Sequence, residues 1–101
     1  MKTIHMQSIM TKHQTGARAF YDDLSRILDG VGHALADARY AEVQEGAAVL
    51  RNRADELCLH DLAEAAAALE LAAGEGSEIA CAVHYGALCR HAAALQNGHA
   101  E

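Results

Sequence analysis

The chain has 101 residues, 51% of them hydrophobic and 22% charged, with no proline or tryptophan and a formal net charge of −6. That length supports one domain burying roughly two thirds of the surface its unfolded chain would expose, which excludes a large enzyme core. Alanine and leucine dominate the apolar residues and β-branched and aromatic residues are scarce, so the composition calls for an all-α fold.

Residues 1–16 read as an N-terminal extension, helical or mobile. Ile4, Met6, Ile9 and Met10 are scattered there among polar residues ahead of a break at Thr15 and Gly16. From Arg18 the pattern sharpens: Phe20, Leu24, Ile27, Val31 and Ala34 recur at spacings of four and three, as one face of an amphipathic helix must, with Leu28 and Leu35 widening the stripe. A turn at Asp37 to Arg39 leads to Tyr40, Val43, Ala47, Leu50, Ala54 and Leu57, a second helix with a seven-residue repeat.

A third helix starts near Leu59, runs through Leu62, Ala66, Leu69 and Ala73, and stops at Gly74-Glu75-Gly76, with glycines where a helix C-terminus favours them. Ser77 is the expected N-cap of a fourth, striped by Cys81, Tyr85, Leu88, Ala92 and Leu95 and ended by Asn97 and Gly98. Four stripes joined by short connections predict an antiparallel up-down-up-down four-helix bundle over 17–98, with 99–101 as a tail. The many alanines bury little area each, so the core should be modestly stable, and a homodimer would cover more surface.

The acidic balance and dispersed basic residues speak against nucleic acid or anionic lipid as partners. The sequence has no apolar run long enough to span a bilayer and no secretory h-region, and its three cysteines, Cys58, Cys81 and Cys89, follow no framework spacing. The chain therefore reads as cytoplasmic, with reduced thiols packed on helix faces.

The segment Arg39 to Ala73 resembles the central helical hairpin of histidine-containing phosphotransfer (HPt) domains. That family carries an A-H-x-L-K-G-S-A motif on the second helix, then a glycine, then a Leu-Glu pair on the third. This chain has Ala47-Ala48-Val49-Leu50-Arg51-Asn52-Arg53-Ala54, then Cys58 at the later glycine, then Leu69-Glu70. The framework agrees and the chemistry does not. Ala48 stands where the phosphoacceptor histidine would be, Arg51 for the lysine, Asn52 for the small glycine and Arg53 for the serine. Phosphoryl relay needs an imidazole nitrogen as nucleophile, and a methyl group cannot replace it.

Taking about 100° per residue, Ala48 falls roughly 140° from the inward stripe of Val43, Leu50 and Leu57, on the exposed side with Gln44, Arg51 and Asp55. The resemblance thus implies a degenerate HPt-like module, without catalytic residues or cofactor, that docks a receiver domain or histidine kinase. Its expected binding face is Gln44, Ala48, Arg51, Asn52 and Asp55, with Leu28 and Leu35 of the first helix nearby. The competing readings are a structural or oligomerisation bundle with an unrelated protein partner, and an active phosphotransfer protein using His33 or His60.

The remaining histidines and cysteines give no strong motif. Cys81, His84 and His91 have helical spacing but lack the paired motifs of a metal centre, so no metal site is expected. His60 and Glu64 at i, i+4 suit a structural ion pair. No Gly-rich phosphate loop or H-E-x-x-H is present in the sequence.

Overall fold

A computed structural model describes the backbone from Lys2 to Ala100 and the side chains of residues 19–97. The side chains of Ile4, Met6, Ile9 and Met10 lie outside the described residues. The chain forms α1 (Lys2–Ala36), α2 (Tyr40–Glu56), α3 (His60–Gly74) and α4 (Glu78–Ala100). Three-residue connections reverse the chain each time, and the packed neighbours are α1 with α2, α2 with α3, α3 with α4 and α4 with α1. This is an antiparallel four-helix bundle. No helix among the described residues is long and apolar enough to cross a membrane.

The core follows the stripes: Phe20, Leu24, Val31 and Ala34 of α1, Val43, Ala47, Leu50 and Ala54 of α2, Leu62, Ala66 and Leu69 of α3, and Cys81, Leu88 and Ala92 of α4 are buried. The α1 stripe is turned slightly from its expected position, because Leu28 belongs to the core and Ile27 is half-buried at its margin. Two expected boundaries are not boundaries. Helix α1 runs unbroken through Thr15 and Gly16, and α4 continues past Asn97 and Gly98.

All three connections have one geometry. At the end of α1 the Arg39 amide donates to the Ala34 carbonyl and that of Ala38 to Leu35; after α2, Leu59 donates to Ala54 and Cys58 to Asp55; after α3, Ser77 donates to Ala72 and Gly76 to Ala73. Each is a Schellman closure, which requires a left-handed residue at its centre. Those residues are Ala38 (φ 57°), Cys58 (φ 60°) and Gly76 (φ 68°), so only the third connection has the residue free of Cβ crowding. Ser77 then caps α4, its Oγ accepting from the Ala80 amide at 3.3 Å.

Cys58 is consequently exposed in a turn and not packed on a helix face as its sequence context suggested, whereas Cys81 is buried. Burial pushes the Cys81 thiol up from its ordinary value. Cys58→Gly and Ala38→Gly should each raise stability by about 1 kcal/mol, because glycine relieves the left-handed strain at more benefit than its chain entropy costs. Urea denaturation of the single and double variants checks this; a loss of stability in either would contradict the strain assigned to that turn.

Candidate functional site

Helix α2 has two flanks with different neighbours. The flank towards α1 holds Gly46, where an added Cβ would come within 2.5 Å of Val31 Cγ2, and Arg53, which pairs with Asp23 at 3.2 Å. The Arg53 guanidinium also lies 5.9 Å from the centroid of the Phe20 ring, a cation–π distance. Arg53, at the motif's serine position, therefore braces α2 against α1.

The other flank faces α3 and carries most of the expected binding face. Arg51 Nη1 donates to Glu70 Oε1 at 2.6 Å, an ion pair across the α2–α3 groove with both side chains partly shielded. Two shallow depressions meet at Arg51 and Ala67. One is lined by Gln44, Arg51, Ala67, Glu70, Leu71 and the Gly74-Glu75 end of α3, and the other by Arg51, Asp55, His60, Ala63, Glu64 and Ala67. Gln44 fills the space that a side chain at Gly74 would take, since an added Cβ there would be 3.0 Å from its Nε2. Gln44, Arg51 and Asp55 thus form one row along the groove.

Three expected positions differ. Ala48 is half-buried where full exposure was expected, whereas Asn52 is exposed as its place on the expected face requires. Leu28 is not part of any binding face: it is buried in the core, and its carbonyl accepts the Tyr85 hydroxyl at 2.8 Å. Leu35 is half-buried against the core. The reason is topological, because α1 packs on the flank of α2 opposite the Arg51 row, so its leucines cannot border that row.

Sequence periodicity on α2 alone missed what α3 contributes. Ala67 and Leu71 line the groove beside Glu70, and Leu71 is 67% exposed. The available signal was a leucine one residue beyond the Leu69-Glu70 pair and off the buried stripe. His60 and Glu64 are both exposed and do not form the ion pair that their spacing suits. Among the described residues no group of three or more His, Cys, Asp or Glu side chains is placed to hold a metal ion.

A partly shielded ion pair, a row of amide and carboxylate groups and an exposed leucine make a surface suited to protein contact. With Ala48 in the row, that position offers a methyl group and no nucleophile. Comparison of the chain with models of protein families, with curated proteins and with solved structures finds no match.

Proposed function

We propose that the chain is a non-catalytic, HPt-like protein-binding module that docks a receiver domain or histidine kinase of a two-component pathway in the cytoplasm without relaying phosphate. The observation that carries this reading is the Arg51–Glu70 ion pair. It joins the residue matching the family's lysine to the glutamate of the Leu-Glu pair, on the helix flank that also holds Gln44 and Asp55. Two further placements support it: the bundle has the helix number and order that the resemblance implies, and Cys58, at the motif's later glycine, has a left-handed backbone that glycine would adopt without strain.

The absent imidazole decides the mechanism. Ala48 has no atom that can attack an aspartyl phosphate, and the Arg51 charge beside it is already compensated by Glu70, which leaves little free positive potential for a phosphoryl group. What remains is contact surface. A module that occupies a receiver's docking face without accepting its phosphate acts as a competitive inhibitor or adaptor of the relay.

Calorimetric titration against candidate receivers and kinases tests this. Binding is expected to weaken at least about tenfold in Ala48→Glu and in Arg51→Glu, the loss of about 1.4 kcal/mol or more that a central contact residue carries. No binding to any receiver or kinase, or an affinity unchanged in both variants, would overturn the reading. Circular dichroism of each variant separates lost binding from lost fold.

A further inference from the structure

The surface of α4 offers a second interaction site on the far side of the bundle from the α2–α3 groove. Ile79 is 80% exposed and Val83 59%, one turn apart on the same face. Ala82 and Ala93 are exposed on the same face, and Gly86 is half-buried beneath the Arg90 side chain. The 19 residues from Ile79 to Asn97 include a single Asp, Glu, Lys or Arg, namely Arg90, in a chain of net charge −6. An amphipathic surface helix would place several charges opposite its core stripe of Cys81, Leu88 and Ala92, and beyond its first turn α4 has Arg90 alone.

We infer that this face is a self-association site, covered by α4 of a second copy of the chain packed antiparallel about a twofold axis. Charge is self-complementary under that operation. Arg90 is exposed with its Nη1 lying back 3.5 Å from where a Cβ on Gly86 would stand, and among the described residues it forms no ion pair. Glu78 is exposed and equally unpaired at the start of the helix, about 18 Å along the axis from Arg90.

An antiparallel copy centred between Val83 and Gly86 sets each Val83 opposite its partner's Gly86 and each Arg90 opposite the Glu78 end of its partner's helix, towards which the Arg90 side chain swings off Gly86. Every contact then occurs twice, as an isologous interface requires. The same face is where two acidic copies approach at least electrostatic cost, because the net negative charge lies on the rest of the chain. Helices α1 and α3 flank α4, and α2 lies across the core from it, so both α2–α3 grooves stay open in the dimer. Self-association here is independent of the docking function proposed above.

Sedimentation velocity of the full chain over a range from micromolar to several hundred micromolar tests the inference. The expected result is a species of twice the 10.7 kDa chain mass. Val83→Glu should return it to monomer, and Ile79 and Val83 are exposed enough that their substitution leaves the fold intact. Arg90→Glu and Glu78→Arg should each weaken the dimer on the order of tenfold by setting like charges together, and the combined reversal should restore most of the loss. A monomer at every concentration overturns the inference. So does a dimer that Val83→Glu leaves unchanged, since association would then use another surface.

Discussion

Leu69→Ala is expected to lower the unfolding free energy by about 3–5 kcal/mol, in the upper part of the range for buried leucines. Leu69 is fully buried on α3, and nine of the nineteen buried core residues are alanines. Ala65, Ala66, Ala72 and Ala73 flank it on the same helix, which already brings backbones close together. Neighbouring methyl groups have no rotamers with which to collapse into the vacated space, so the cavity term is retained almost in full. In a domain of about this size each 1 kcal/mol moves the thermal midpoint by about 4–8 °C, so the variant should melt at least about 12 °C lower.

Leu71→Ala is the matched control. The two leucines are two residues apart on one helix, but Leu71 is exposed, and its loss should change stability by no more than about 0.5 kcal/mol. Urea denaturation of both variants gives the comparison. A fall of less than about 1 kcal/mol for Leu69→Ala would mean that the alanine-lined core relaxes, contrary to the packing argument.

The α2–α3 hairpin was the most legible part of the sequence, because Val43, Ala47, Leu50 and Ala54 keep strict spacing and the C-terminal end of α3 carries glycine turn chemistry. Less legible was α1, where Ile27 and Leu28 are adjacent and equally apolar; the choice between them depends on how α4 seats against α1, which no local pattern encodes. The Cys58 turn was hidden for a related reason. A Schellman closure is read from glycine, and the backbone here adopts it with Cys58 and Ala38 in the left-handed position.

The candidate face divided in the same way. Residues on one helix, Gln44, Arg51 and Asp55, were grouped correctly by helical angle alone. The position of Leu28 and Leu35 relative to that row required knowing which flank of α2 meets α1, a tertiary fact. Asn97 and Gly98 looked like a stop signal, yet α4 runs on beside α1, where Gln96 Nε2 reaches Ser25 Oγ at 3.3 Å.

The seating of α4 against α1 gives the second large effect. Tyr85 is the main clasp between them: its hydroxyl donates to the Leu28 carbonyl, and its ring end occupies the space left by Gly32. An added Cβ at Gly32 would stand 2.6 Å from the Tyr85 oxygen and 3.2 Å from Cζ. Gly32→Ala must therefore displace a rigid aromatic side chain and break its hydrogen bond. The expected net loss is about 1–2 kcal/mol, even after the gain of up to about 1 kcal/mol that alanine brings to a helix interior. Gly30→Ala, where nothing lies within 4 Å of the new Cβ, should show that gain alone. If Gly32→Ala stabilises the protein as Gly30→Ala does, Tyr85 is not held where the structure places it.

The same clasp predicts a pH dependence. Burial first, then the hydrogen bond and charge of Cys89 and the negative charge of Asp29, push the Tyr85 phenol up from 10.0 to about 12. The unfolded chain loses this proton near pH 10 while the folded chain keeps it, so the stabilisation is complete below pH 10 and disappears as pH rises through about 12. Tyr85→Phe cannot ionise and should flatten the stability profile between those values, while lowering stability at neutral pH by about 1 kcal/mol through the lost hydrogen bond. The other ionising groups are present in both proteins, so the difference between the two profiles reports Tyr85 together with its interaction with Cys89. Equal slopes above pH 10 would show that its hydroxyl is solvated and does not clasp α4 to α1.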